Sequence, residues 1–139
     1  MDKHKAELAI KAFLEALDQD LTDPNLKDTP KRVTKMFAEE LLTHKPFEVT
    51  TFETAVGSQF VSVFDISVAS LCSHHLQPIT GKAHIGTFYI ADSNNNVKLP
   101  GLSKYARVVD KFARKLQLQE RMTFQICEFI YEAFMADFV

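Results

Sequence analysis

The sequence lacks several features that would place it quickly in a class of proteins. Its 139 residues include two cysteines and no tryptophan, and no apolar run reaches the roughly 18 residues that a transmembrane helix needs. Two cysteines are too few for a disulfide scaffold. The first residues also lack the apolar segment of a signal peptide, so we expect a cytoplasmic protein.

The charge is almost balanced, with 16 Lys and Arg against 18 Asp and Glu and a net charge of −2. Proteins whose main partner is nucleic acid or an anionic membrane normally carry an excess of basic residues. The composition therefore argues against both partners. With 46% hydrophobic and 24% charged residues, the chain fits one globular domain with a modest core.

Hydrophobic periodicity predicts four helices. Apolar residues recur at helical spacing in 10–21, in 33–41, after Gly101 and again after Glu120. Pro24 follows the first helix, and the second ends near His44. Thr29 and Ser103 are predicted to cap the second and third helices.

Between the second and third helices the period changes to two. Phe64, Ile66 and Val68 alternate with polar residues, which predicts a strand with one buried face, and a second strand runs over 82–90. The order is α-α-β-β-α-α, an α+β fold with an N-terminal helical segment in 1–50 and an incomplete sheet domain in 51–139.

One hairpin is a small sheet for two amphipathic helices to cover. The last residues are also largely apolar, among them Phe134, Met135, Phe138 and Val139. We therefore expect either further strands or cover from another subunit, and in both cases a homo-oligomer whose exposed strands pair.

The connection between the two strands holds a cluster of metal-binding residue types. Cys72 and His75 form a Cys-x-x-His spacing, and His74 lies beside them. Zn²⁺ binds thiolate and imidazole, with three protein ligands and a water in a catalytic site, and His74 could then transfer protons. The alternative is a buried thiol beside two ordinary loop histidines, and the spacing alone leaves both interpretations open.

Two weaker patterns follow. Ser103, Lys104 and Arg107 open the third helix, where cations, a hydroxyl and free amides suit a phosphate group. Gln119 and Glu120 begin the fourth helix, where a carboxylate could accept hydrogen bonds from a purine edge. Each pattern also fits an ordinary solvated helix end.

Five stretches together carry a resemblance to a known family. They are 28–33 (DTPKRV), 71–76 (LCSHHL), 81–85 (GKAHI), 101–109 (GLSKYARVV) and 118–123 (LQERMT). In this order and with these gaps they closely resemble the GTP cyclohydrolase I family, from about residue 28 onward.

The resemblance implies an enzyme that converts GTP and water to 7,8-dihydroneopterin triphosphate and formate, the first step toward folates and pterins. It implies a tunnelling fold whose subunits assemble into barrel-like rings. Cys72 and His75 would be zinc ligands, with a zinc-activated water attacking C8 of the guanine, and His74 would be the acid–base residue.

The same resemblance implies how the two ends of GTP are held. Ser103, Lys104 and Arg107 would face the triphosphate, and Gln119 and Glu120 would anchor the guanine. Holding both ends would place C8 over the metal.

The sequence departs from the family pattern at two points. Ser73 stands where the family usually has an acidic residue. The family's C-terminal strand pair, with a His-x-Cys pair that includes the third zinc ligand and a downstream Arg, has no counterpart. Cys127 is interpreted as a core thiol on a helix stripe and not as a replacement ligand.

Three interpretations result. The favoured one is a GTP cyclohydrolase I-type enzyme whose missing strands or ligands come from a partner chain. The second is a GTP-binding or assembly subunit that is catalytically incomplete. The third is a tunnelling-fold enzyme acting on another pterin or deazapurine, for which the sequence contains no matching motif.

Overall fold

The computed structural model of this chain describes residues 1–43 and 46–139. Contacts between residues divide it into two compact units, the first of which is Met1–Thr43. The first unit contains α1 (Lys3–Ala16), α2 (Thr29–Met36) and a π-helical turn (Phe37–Leu41). The predicted end of the second helix near His44 lies outside the described residues, and the predicted division of the chain at residue 50 stays a prediction.

The second unit combines five strands with two helices. They are β1 (Thr51–Thr54), β2 (Gln59–Cys72), β3 (Pro78–Tyr89), β4 (Val97–Pro100), α3 (Ser103–Ala113), β5 (Leu116–Gln117) and α4 (Gln119–Ala133). With helices in both units, the predicted α+β fold class is confirmed. No helix of the described residues is long and apolar enough to cross a membrane.

The helix ends differ from their predicted positions. α1 ends at Ala16 and not near Leu21, because Asp18 takes a left-handed backbone conformation with φ of 55°. Thr29 and Ser103 are the first helical residues of α2 and α3 and not their caps. The preceding residues, Asp28 and Leu102, also have helical backbone angles. A capping residue has a non-helical backbone, so neither Thr29 nor Ser103 can be the cap.

The main sheet has the strand order β3–β2–β5. β2 and β3 form an antiparallel hairpin, and β5 pairs in parallel with the last two residues of β2. β1 and β4 form a separate antiparallel pair. β1, β4 and β5 are not predicted from the sequence, because strands of two to four residues are too short to show a period of two.

A bulge divides β2 into two parts. The pairing with β3 shifts between Val63 and Ile66, and Asp65 has a φ of 59°. The extra residue reverses the alternation of side chains, so that Val63 lies inward before it and Ile66 and Val68 after it. The prediction that Phe64 shares their buried face is therefore wrong, since its side chain is 67% exposed.

The core of the second unit lies between this hairpin and the two helices. α3 packs against β2 and α4. The apolar stripes predicted for both helices are confirmed at their central positions. The most deeply buried hydrophobic side chains are Tyr89, Tyr105, Val108, Val109, Ile130 and Phe134.

Candidate active site

The turn between β2 and β3 presents the predicted metal ligands. Cys72 is the last residue of β2 and is half-buried, whereas His74 and His75 are exposed. The N–H of Cys72 donates to the carbonyl of Gln77 over 2.8 Å, and the N–H of Leu76 donates to the carbonyl of Cys72 over 3.0 Å. These bonds close the turn, so the thiol and both imidazoles project from one short, hydrogen-bonded segment.

The donor chemistry of this turn fits zinc only in part. Cys72 and His75 are a thiol and an imidazole, and the His74 and His75 rings lie 6.1 Å apart between centroids. Within residues 1–43 and 46–139, no group of three or more His, Cys, Asp or Glu side chains is placed to hold a metal ion. The described residues therefore supply two suitable donors, where a catalytic zinc site needs three.

A second segment lies directly against this turn. β5 pairs with β2 so that Gln117 lies opposite Cys72, and the Ser73 N–H donates to the Gln117 carbonyl over 2.9 Å. Gln119 and Glu120 follow as the first two residues of α4, and both are exposed. The structure thus brings the predicted guanine anchors next to the turn that holds the predicted metal ligands, residues 72–77, which we call the metal turn.

Gln117 belongs to none of the predicted sites, although this residue connects the two segments. It is fully buried, with 0% of its surface exposed. A single polar residue between Leu116 and Leu118 belongs to no metal or nucleotide motif, and strand alternation would place it on an exposed face. The sequence therefore carried no signal that would have identified it.

The predicted triphosphate contacts lie elsewhere. Ser103, Lys104 and Arg107 are on the first two turns of α3, whereas the carbonyl of Ala113 at the other end accepts a 2.6 Å hydrogen bond from Ser70 of β2. Because α3 has 11 residues, its two ends are about 15 Å apart, and Arg107 lies about 9 Å along the helix from Ala113. The structure therefore places Ser103 and Lys104 far from the metal turn, with Arg107 between the two ends.

Lys104 is also engaged within the chain. Its Nζ donates a 2.7 Å hydrogen bond to the carbonyl oxygen of Glu48. Ser103 and Arg107 are exposed on either side of it along the helix. A phosphate group would thus meet two freely accessible side chains and one lysine that is already hydrogen-bonded.

The corner between α3 and β5 is cationic. Burial lowers the pKa of Lys115, and the positive charges of Arg121 and Lys111 lower this pKa further. Lys111 holds its Nζ 4.0 Å from the centroid of the Phe129 ring, a favourable cation–π distance. The corner next to β5 therefore contains three basic side chains, of which Lys111 and Arg121 disfavour the charged form of Lys115.

A cavity of the second unit lies apart from the metal turn. It has a volume of about 490 Å³ and lies between β3 and α4. Of the predicted site residues that the structure describes, Gln119 alone lines this cavity. Cys127 also lines it and is half-buried, not enclosed by the core.

Comparison with known proteins identifies the family. The family model for GTP cyclohydrolase I matches residues 6–139. The GTP cyclohydrolase 1 of Sulfurihydrogenibium sp. (strain YO3AOP1) is 47% identical over 132 residues, which cover 94% of this chain and 66% of that protein. The GTP cyclohydrolase 1 of Carboxydothermus hydrogenoformans is 44% identical over 135 residues, covering 95% of this chain and 68% of that protein.

A third relative gives the same result. The GTP cyclohydrolase 1 of Bacillus subtilis (strain 168) is 43% identical over 137 residues, covering 95% of this chain and 68% of that protein. The chain thus spans about two thirds of the length of these relatives. With a family model that matches almost the whole chain and relatives above 40% identity, the chain belongs to the GTP cyclohydrolase I family of hydrolases, as its motifs predict.

Proposed function

We propose that this chain is a subunit of a GTP cyclohydrolase I-type enzyme, which hydrolyses the guanine ring of GTP to 7,8-dihydroneopterin triphosphate and formate. One observation carries the proposal beyond family membership. The hydrogen bond from Ser73 to Gln117 fastens the turn of Cys72 and His75 against the segment that leads to Gln119 and Glu120. A base bound by that pair would therefore lie beside the candidate metal ligands.

Gln119 and Glu120 are suited to the guanine edge. The Glu120 carboxylate can accept hydrogen bonds from the ring N–H and the exocyclic amino group of guanine, and the Gln119 amide can both donate and accept. Both side chains are exposed at the first turn of α4, so a ligand can reach them. Together they would orient the base and hold C8 toward the turn.

Cys72 and His75 would hold Zn²⁺ together with a third donor that the described residues do not supply. When bound, zinc would contribute Lewis-acid character and lower the pKa of a water molecule. The His74 side chain, exposed on the same turn, is available to accept and return a proton at its ring nitrogens. Its role requires that it stay free of the metal.

The open edge of β3 suggests where a third donor would come from. At one end of this edge the Phe88 N–H donates to the carbonyl of Phe138 over 2.9 Å, which forms an antiparallel bridge. A strand added along this edge in the same sense would run past the 490 Å³ cavity and finish beside Pro78, next to the metal turn. We propose that such a strand, from whichever chain supplies it, completes the ligand set.

The separation of about 15 Å along α3 supports a homo-oligomer. Ser103 lies at the end of α3 remote from the metal turn of its own chain, and Arg107 lies near the middle of the helix. In a ring they would face the triphosphate of a GTP held by a neighbouring copy. Mixing a His74→Ala variant with an Arg107→Ala variant tests this arrangement, because mixed rings would regain complete sites, whereas a site built from one chain would stay inactive in the mixture.

The described residues supply two zinc donors where a catalytic site needs three, and this favours one alternative. The alternative is a subunit that binds GTP or assists assembly without catalysing hydrolysis. The test is to purify the chain, measure zinc per chain and GTP binding, and assay for formate and a fluorescent pterin. About one zinc per chain with both products supports the enzyme. GTP binding without zinc and without products would support the binding subunit and contradict the enzyme. The products should also disappear in a Cys72→Ser variant and after chelation.

A further inference from the structure

Gln117 is the point at which three segments of the second unit are fastened together. Its backbone pairs with the end of β2, and its carbonyl oxygen accepts the Ser73 N–H over 2.9 Å. Its side chain points away from solvent, and 0% of the residue is exposed. A buried amide is costly unless its polar atoms are hydrogen-bonded, so its partners define its position.

The partners come from both helices. The Nε2 of Gln117 donates to the carbonyl of Phe112, in the last turn of α3, over 2.8 Å and to Oε1 of Gln125 in α4 over 3.0 Å. Its Oε1 accepts a 2.9 Å hydrogen bond from Nε of Arg121, in the first turn of α4. A carbonyl can only accept and a guanidinium can only donate, so these partners also fix which way the amide faces.

Arg121 reinforces the same connection. Its Nη2 donates to the carbonyl of Leu116 over 2.7 Å, so one guanidinium is hydrogen-bonded to both residues of β5. The start of α4 is therefore held to β5 by a side chain on α4 itself, and β5 is held to the metal turn by backbone pairing. Gln119 and Glu120 lie within this fastened segment.

We propose that Gln117 is a positioning residue that sets the location of Gln119 and Glu120 relative to the Cys72–His75 turn, and so determines how selectively guanine is bound. The inference rests on the proposed function, because it takes this pair as the guanine anchor. Gln117 itself does not touch the base. Its loss would let α4 shift against the turn, and a displacement of about 1 Å is enough to weaken oriented hydrogen bonds.

The test compares binding of GTP with binding of inosine triphosphate, which lacks the 2-amino group of guanine. Titration calorimetry on the full chain without added zinc measures affinity with no turnover. Wild-type protein should prefer GTP by about tenfold or more, as expected for a hydrogen bond to a charged acceptor. Gln117→Met keeps the side-chain volume, removes every amide hydrogen bond and should reduce this preference to about twofold or less.

A matched control separates positioning from stability. Ser70 is also buried and holds the same corner, because its Oγ donates to the carbonyls of Ala113 over 2.6 Å and of Lys115 over 3.3 Å, but its side chain makes no hydrogen bond to the described residues of β5 or α4. Ser70→Ala should lower the melting temperature and keep the GTP preference. If Gln117→Met behaves as Ser70→Ala does, the positioning role is contradicted while the proposed function stands.

A second variant keeps the test decisive if Gln117→Met does not fold. Gln117→Glu retains the bond to Arg121 and loses the two donors to Phe112 and Gln125. Its GTP preference should fall between those of wild type and Gln117→Met, and an unchanged preference would overturn the inference. If wild-type protein binds GTP and inosine triphosphate equally, the guanine anchor itself is wrong, and the proposed function fails together with this inference.

Discussion

The hydroxyl oxygens of Tyr89 and Tyr105 lie 2.7 Å apart inside the core of the second unit. Tyr89 is on β3 and Tyr105 is on α3, so this hydrogen bond crosses from sheet to helix. The Tyr105 hydroxyl is also 2.8 Å from Oγ1 of Thr87, and all three residues are buried. The three hydroxyls satisfy one another where water cannot reach them, and they fix α3 on the sheet.

We predict that Tyr105→Phe lowers the free energy of unfolding by about 1–3 kcal/mol, because the hydroxyl of Tyr89 would stay buried without its partner. The ring would still pack edge-to-face against Phe134, 5.0 Å away, so the fold should persist. Urea unfolding followed by circular dichroism measures the change. Tyr131→Phe is the control, since Tyr131 is 56% exposed and its change should stay within about 0.5 kcal/mol.

Alkaline pH should destabilise the chain through Tyr89. Burial raises the pKa of Tyr89 above the ordinary value of about 10, and the hydrogen bond to Tyr105 raises it further. The unfolded chain releases this proton near pH 10 while the folded chain retains it. The stability that depends on the protonated hydroxyl is therefore complete below pH 10 and is lost as the pH rises beyond it.

The comparison of wild type with Tyr89→Phe isolates this contribution. Unfolding free energies measured from pH 8 to pH 11 should fall more steeply for wild type above pH 10, by up to about 1.4 kcal/mol per pH unit. Parallel curves for the two proteins would show that Tyr89 titrates normally. The Tyr131→Phe protein should follow the wild-type curve.

Lys115 should react with acylating reagents at lower pH than an exposed lysine. Its pKa is lowered by burial first and by Arg121 and Lys111 second, so more of its amine is neutral at a given pH. Competitive labelling with acetic anhydride, read by mass spectrometry, compares it with the exposed Lys98. Lys111→Met keeps an apolar contact with Phe129 and removes one positive charge, so it should reduce the difference in the pH dependence of acylation between Lys115 and Lys98. Identical pH profiles for these two lysines in the wild-type protein would contradict the prediction.

The two histidines of the turn should differ in their effect on zinc. We expect His75→Ala to weaken zinc binding about tenfold or more, because it removes a ligand, and His74→Ala to leave zinc binding near the wild-type value while it abolishes turnover. Competition with a chromophoric chelator measures the affinity. Cys127→Ser should retain zinc, and the opposite result for the two histidines would exchange their roles.

The sequence predicted the helices of the second unit well because their apolar stripes are long. Tyr105 and Val109 on α3, and Met122, Ile126 and Ile130 on α4, repeat at helical spacing and are all buried. Burial of such a stripe dominates the local energetics, so periodicity alone predicts it. β1 and β4 depend instead on pairing between residues that lie far apart in the chain, which no local pattern reports.

The candidate site was predictable by residue type and not by arrangement. The motifs indicate Cys72, His75 and Glu120 as candidates, because these side chains have a characteristic chemistry. The position of Glu120 near Cys72 depends on β5, which pairs in parallel with the end of β2 and is only two residues long. The sequence contains no periodic signal for so short an element, and the buried amide of Gln117 that holds it is chemically ordinary.

The bulge at Asp65 has a consequence for how β2 tolerates the loss of a residue. Deletion of Asp65 would leave one residue between Val63 and Ile66, as in the facing part of β3, so the ladder would become regular. Both side chains would stay on the inward face, and Ser70 would still face α3. The bulge is therefore a position at which β2 can lose a residue while the thiol of Cys72 stays on its present side.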